Sequence, residues 1–413
     1  MTEPIELPAG ARWTNWVGNR SSTPRHAASP KDEEEVAALV RAASRRGCGV
    51  RVAATGHSFT PIVETDGLLL DLSAPSGVLK VDAGSKRVTA FAGTQIRDFY
   101  EPLWSAGLAL INQGDIDTQQ IAGAVSTATH GSGTRYTSLS GVVRGVRLVT
   151  ASGDVRDIGE DEPETLRAAQ VAVGMLGVIT RLELHVTEAY RLKQRVGLWP
   201  WEEVLERWHE LVEGHRHFGF FWLPTEESGA LYNLSGHGDP MADKCYVKIY
   251  DEAAPEEPDD ATPGRRVDRC YRIYPMVYDP NFHELEYFVP LEKGPQALSA
   301  MRELMLKSLP QSLYPLEVRT VGPEEAYLSP SYRTATTVIS VSGQPGTDYW
   351  GYLRAVDALL AEFDARVHWG KLHFLTRERL HAVYPHADDF NAVRRQFDPG
   401  GMFLNDHLRE LFA

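Results

Sequence analysis

The spacing of apolar residues along this chain changes period several times, and each change predicts an element. In "KDEEEVAALVRAASRR", residues 31–46, Val36, Leu39, Val40 and Ala43 recur at the interval of one helical face. Ser29 and Pro30 stand ahead of it as cap and first-turn residues. "GVRVAA" follows, with Val50 and Val52 alternating as in a strand. The apolar run in "DGLLLDLS" predicts a buried strand, and "RVTAFAG" another. "TQIRDFYEPLWSAG" predicts a helix stopped near Gly107. "GVRLVTASGDVRDI" reads as two strands joined across Ala151–Asp154, where Gly153 suits a positive φ. "ETLRAAQVAVGML" predicts a helix and "GVITRLELHV" a strand.

After Tyr190 tryptophans and histidines become frequent, as in "LWPWEEVLERWHELVEGHRHFGFFWLP". The acid- and proline-rich "DEAAPEEPDDATPGRR" reads as a solvated loop. "HELEYFVPLE", "YPLEVRTV" and "TTVISVSG" predict strands, and "GPQALSAMRELMLKSL" a helix. This mixture is that of an α+β protein. The change of texture places a first domain over residues 1–190 and a second over 191–365, with 366–413 packing back on the first.

The hydrophobic fraction, 43%, and the charged fraction, 24%, are those of an ordinary globular chain. Lys and Arg number 42 against 56 Asp and Glu, a net charge of −14, which argues against nucleic acid or an anionic membrane as partner. Cys48, Cys245 and Cys270 match neither a zinc spacing nor a disulfide framework. His209, His215 and His217 lack a completing carboxylate or cysteine pattern, so no metal is expected. "MTEPIELPAG" has no basic region followed by an apolar core, and no apolar run approaches the roughly 18–20 residues of a membrane helix. A cytoplasmic protein is the expectation.

Three stretches carry candidate chemistry. The strand from Val50 ends in Ala53, Ala54, Thr55 and Gly56, followed by His57 and Ser58. Small residues there let backbone N–H groups crowd around an anion such as a pyrophosphate, although the segment is neither G-x-G-x-x-G nor a Walker loop. Taken alone it is equally a tight turn. "DIDTQQIAGAVSTATHGSGTRY", Asp115–Tyr136, sets Gly123, Gly131 and Gly133 among Ser and Thr, the composition of a binding loop or a glycine-rich surface loop. Glu317 and Arg319 stand at i and i+2 of a predicted strand and face one side, either to hold sugar hydroxyls or as a surface ion pair. Ser340 and Ser342 share a face by the same spacing.

Together "GHSF" and "IAGAVSTATHGSG" resemble the FAD-binding domain of the vanillyl-alcohol oxidase superfamily. "HWGKLH…FDPGGMFLND", "NFHELEYFVP" and "EVRTV…YLSPSY" resemble its aldonolactone oxidase and alditol oxidase branch, so the similarity spans nearly the whole chain. The resemblance implies a two-domain FAD-binding fold whose substrate (cap) domain is built on an antiparallel sheet. It implies that Ala53, Ala54, Thr55, Gly56 and Ser58 clamp the FAD pyrophosphate and that His57 is bonded to the flavin 8α-methyl. Neither loop holds a cysteine, so a single covalent link is expected. Gly114, Gln120, Gly123, Ala124, Ser126, Thr129, His130, Gly131 and Ile179 complete the implied cofactor set.

On the substrate side the resemblance implies Glu317 and Arg319, with Lys371 of "HWGK" beside the flavin N1–C2=O. Gly114 would leave room for dioxygen. Asp115, Ser340 and Ser342 stand where alditol oxidases carry serine, histidine and threonine, which argues against an acyclic polyol. The expected reaction is oxidation of a carbinol in a sugar-derived lactone or polyol, with hydride passing to flavin N5 and dioxygen reduced to hydrogen peroxide. A monomer or small homo-oligomer is expected. The alternatives are an alditol oxidase, a dehydrogenase with a quinone or cytochrome acceptor, an NADPH-dependent flavin reductase of the cell-wall precursor type, and an idle carbohydrate-binding protein.

Overall fold

In the helix Glu33–Arg45, Val36, Leu39, Val40 and Ala43 are all buried, and the helix closes one side of the N-terminal half. This computed structural model describes residues 8–234, 236, 238–276, 279, 281–308 and 312–413. The first seven residues of the N-terminal reading lie outside them. The helix is capped by Asp32, whose side chain accepts from the Glu35 N–H at 2.9 Å, rather than by Ser29 and Pro30. Glu33, Glu34 and Glu35 then face the positive end of the helix dipole.

Among the described residues two larger sheets build this half, beside two short two-stranded ones. Strands His26–Ala28, Leu68–Asp71 and Val50–Ala53 form a small parallel sheet in that spatial order. Strands Val155–Ile158, Val143–Val149, Val178–His185, Arg87–Phe91 and Val78–Asp82 form an antiparallel one, with Gly153 at φ +81° in the first turn. The helix expected over 164–176 stops at Gln170. Val173 and Gly174 turn to φ +48° and +70°, and their carbonyls accept from the buried Arg51 guanidinium at 2.8 and 3.3 Å. The helix expected before Gly107 is a 3-10 turn, Ile96–Phe99, followed by Tyr100–Ser105.

A nine-stranded sheet dominates the rest. Its order is Asp260–Thr262, Arg265–Arg269, Arg191–Pro200, Lys244–Glu252, His217–Leu223, Leu316–Val321, Thr336–Gly343, His283–Pro290 and Arg366–Val367. The first strand and the start of the second fall within the stretch read as a loop; Gly264 at φ +76° turns between them. Side chains alternate between faces. Phe218, Phe220, Trp222, Val318, Ile339, Val341 and Tyr287 pack under helices that include Trp208–Gly214, Gly294–Lys307 and Trp350–Ala361.

The opposite face is polar. The register sets Glu317 across from Ser340, Ser340 across from Glu286, and Ser342 across from Glu284. Arg319 and Lys248 continue the same face. This face meets the N-terminal half, where His130 Nε2 reaches Glu286 at 2.9 Å and Tyr274 reaches Ser132 at 3.0 Å. Burying so many polar groups costs stability unless they pair, so their concentration marks a site.

The tail leaves the large sheet after Val367 and returns to the N-terminal half. The Phe59 N–H donates to Gly370 O at 2.7 Å, Arg51 donates to Phe403 O at 2.6 Å, and Asn405 donates to Pro61 O at 2.7 Å. Among the described residues no helix is long and apolar enough to cross a membrane.

Candidate active site

A cleft of about 1550 Å³, its open mouth included, runs between the small-residue turn, the 114–130 loop and the polar face of the large sheet. Ala54, Thr55, Gly56, His57, Ser58, Gly114, Asp115, Gln120, Gly123, Ala124, Ser126, Thr129, His130, Ile179, Glu317, Arg319 and Lys371 all line it. Four expected site residues do not. Ala53 instead lines a surface pocket with Leu69 and Asp71. Gly131 packs beneath the loop, where a Cβ would come within 2.2 Å of Asn112 Oδ1. Ser340 and Ser342 are buried behind the lining: Ser340 donates to Glu284, and the Ser342 hydroxyl meets the Tyr232 hydroxyl at 2.8 Å. The glutamate and the tyrosine stand in the cleft in their place.

At one end the turn is pressed against its neighbours. Gly56 adopts φ +74°, its carbonyl accepts from Trp16 N–H at 2.9 Å, and a Cβ would lie 3.3 Å from the Asn15 Cα. A Cβ on Gly123 would meet the Ala54 Cβ at 3.1 Å, so the helix Ile121–Ser126 reaches the turn only because it lacks a side chain there. The His57 ring lies 4.8 Å from that of Trp16. Its Nδ1 is buried without a hydrogen bond. Burial, aided by the Lys371 charge, pushes the imidazole down to about 4, which keeps it neutral with a free lone pair. A glycine cradle beside an unpartnered, neutral nucleophilic nitrogen fits a dinucleotide cofactor attached at that nitrogen.

The other wall is charged. Arg319 Nη2 donates to Glu286 Oε2 at 2.9 Å, while Nη1 stands 3.7 Å from Asp115 and Nε 3.5 Å from Glu317 Oε1. Glu317 Oε1 is buried and accepts no hydrogen bond. Burial, with like charge from Asp115 and Glu284, pushes the Glu317 carboxyl up to about 7 against the pull of Arg319 and Lys248. Lys371 pairs with Glu284 and lies 5.1 Å above the Phe59 ring. The cleft thus sets a carboxyl near neutrality beside a fixed cation, the requirement for moving a proton to or from a hydroxyl.

Sequence reasoning missed Glu284, Glu286, Tyr232 and Arg51, all of which line this cleft. Glu284 and Glu286 were open to discovery, since "HELEYF" places two charges at i and i+2 of an apolar strand, the signal used for Glu317 and Arg319. His217 is a core histidine bonded to Ser132 O at 2.7 Å, His215 pairs with Asp251, and His209 is exposed. The close group His130, Glu286 and His368, whose donor atoms lie within 4.8 Å of one another, was not anticipated.

Residues 254–411 match the D-arabinono-1,4-lactone oxidase family and residues 24–159 the FAD binding domain family. The chain is 33% identical to L-gulono-1,4-lactone dehydrogenase of Mycobacterium tuberculosis, over 97% of this chain and 99% of that one. It is 31% identical to alditol oxidase of a Streptomyces species, over 96% and 98%. It is 27% identical to L-gulonolactone oxidase of Bos taurus, over 98% of both. The fold superposes on cholesterol oxidase from B. sterolicum with a TM-score of 0.83 at 14% identity, over 99% of this chain and all of that one. The chain belongs to the FAD-linked aldonolactone oxidase and alditol oxidase family.

Proposed function

We propose that this protein oxidises a carbinol of an aldono-1,4-lactone, with Glu317 as the group that takes the hydroxyl proton and dioxygen as the final acceptor. Residues 1–190 and 366–413 would hold FAD, and residues 191–365 would cover it and bind the substrate. Bound FAD supplies the two-electron acceptor at N5, and its reoxidation by dioxygen gives hydrogen peroxide. His57 Nδ1 is the attachment point for the 8α-methyl.

The observation that carries the reading is the unbonded Glu317 Oε1, buried 3.5 Å from Arg319 Nε with its carboxyl near 7. Near neutral pH such a carboxylate accepts a proton without holding it tightly. Arg319, fixed by its carboxylate partners, offers N–H groups to the reacting oxygen and to a neighbouring hydroxyl. Lys371 brings a positive charge to the cofactor side, moderated by Glu284. Positioning carries much of the rate, since the donor carbon must sit about 3–3.5 Å from its acceptor.

A lactone is favoured over a polyol because Ser340 and Ser342 are engaged by Glu284 and Tyr232. The cleft therefore lacks those two hydroxyls as a docking row for an extended chain. Gly114 on the cleft wall supports dioxygen as acceptor. The name of the Mycobacterium tuberculosis relative supports a second reading, a dehydrogenase that passes electrons to another acceptor. Anaerobic flavin bleaching against aldonolactones and alditols tests the substrate class. Oxygen uptake compared with dye reduction separates oxidase from dehydrogenase.

A further inference from the structure

Next to Glu317 and Arg319, two further lining residues, Glu286 and His130, extend the buried charges of the cleft. Glu286 is 1% exposed and divides its two oxygens between two partners. Oε1 faces His130 Nε2 at 2.9 Å, and Oε2 accepts from Arg319 Nη2 at 2.9 Å. The second nitrogen of His130, Nδ1, lies 2.8 Å from Gly131 O. Gly131 has no room for a side chain, because a Cβ there would lie 2.2 Å from Asn112 Oδ1 and 2.3 Å from Gln113 O. Both ring nitrogens of His130 therefore face oxygens, and the one toward the Gly131 carbonyl, which can only accept, is a donor.

This group is not a metal centre, although His130, Glu286 and His368 bring their donor atoms within 4.8 Å. His368 Nδ1 accepts the Gly370 N–H at 3.0 Å, so its Nε2 carries the hydrogen and offers no lone pair. The second Glu286 oxygen is taken by a guanidinium, whose charge would repel a cation.

We infer that Glu286, held between His130 and Arg319, is the positioning residue that aims the Arg319 guanidinium at the substrate and leaves Glu317 free to take up a proton. This rests on the role proposed for Glu317. Of the three carboxylates around Arg319 among the described residues, Glu286 comes within ordinary hydrogen-bond length, while Glu317 and Asp115 stand at 3.5 and 3.7 Å. Burial alone would raise the Glu286 carboxyl, but the His130 and Arg319 charges outweigh it and hold it well below the usual range. Glu286 thus stays ionised and spends much of the Arg319 charge. Without it that charge would fall on Glu317 and hold it as a carboxylate too weakly basic for the task.

The two ends of the chain predict opposite effects. In E286Q the acid limb of the kcat/KM profile moves down by roughly one pH unit, because a buried negative charge is lost and Arg319 turns to Glu317. In H130Q the limb moves up, because Glu286 loses its His130 partner and draws more on Arg319. A merely structural role lowers yield or Tm in both variants and moves neither limb. Nitrogen-15 spectra of the histidine-labelled holoenzyme, with H130Q supplying the assignment, give a readout that needs no turnover. The His130 nitrogen signals are expected to change in E286Q, since Nε2 faces Glu286 at 2.9 Å. His130 signals that are the same in E286Q as in the wild type overturn the inference, as do unmoved limbs or limbs moving in the same direction in folded, flavin-loaded variants. Failure of the Glu317 reading would look different: the wild type would lack the limb near 7 while the His130 signals still changed in E286Q.

Discussion

Arg319 Nε stands 3.5 Å from Glu317 Oε1, two residues along one strand, and no hydrogen bond joins them. The pair is held close without being satisfied, which leaves an acceptor oxygen and a guanidinium edge for a third group. In E317Q the acceptor is lost and the shape kept. kcat is expected to fall about 10²–10⁴-fold with KM changed far less. Steady-state kinetics on the best lactone check this; equal losses in KM alone would reduce Glu317 to a binding group.

At the far end of the cleft, His57→Ala removes the nitrogen proposed to hold the flavin. Acid precipitation of the wild type should leave a yellow, fluorescent pellet, and the variant should release its flavin to the supernatant. A colourless wild-type pellet would exclude the covalent bond.

Arg51 ties three parts of the chain together. It donates to Ile62 O at 2.7 Å, Phe403 O at 2.6 Å, and the carbonyls of Val173 and Gly174. Burial pushes its guanidinium down to about 10, still charged at neutral pH. Arg51→Met strands four carbonyls and should cost roughly 3 kcal/mol or more. Thermal unfolding would read this as a lower Tm, together with easier proteolysis of the C-terminal tail.

Acid should loosen the same tail. His373 and His407 are neighbours, 5.5 Å between ring centres, each with a buried Nε2 that lacks a hydrogen bond. Burial, with the His407 and Arg379 charges, pushes His373 down to about 3; burial, with Arg20 and Arg51, pushes His407 down to about 4. The unfolded chain binds these protons near pH 6.5, so their contribution to stability is whole above that pH and is lost as pH falls through 6.5 towards 4. Each adds at most about 1.4 kcal/mol per pH unit. Urea unfolding at several pH values should give a shallower slope for H373N and H407Q; an unchanged slope would contradict it.

Much of this was readable from the sequence, and the failures have particular causes. The buried stripe Val36, Leu39, Val40 and Ala43 follows from period alone, but its cap depended on which side chain reached back, and that was Asp32. The helix after residue 164 was overextended because nothing local announces that Arg51, more than a hundred residues earlier, claims the carbonyls of Val173 and Gly174. Ser340 and Ser342 were assigned the correct face, yet alternation says nothing about depth, and Glu284 and Tyr232 stand in front of them. Glu286 escaped because its partners, His130 and Arg319, come from elements distant in sequence.

The most direct test of the central claim is the pH dependence of anaerobic flavin reduction by an aldono-1,4-lactone. The wild type should show a limb near pH 7, set by the Glu317 carboxyl, and E317Q should lose both the limb and most of the rate. The same limb and rate in E317Q, or no bleaching by any lactone, would contradict it.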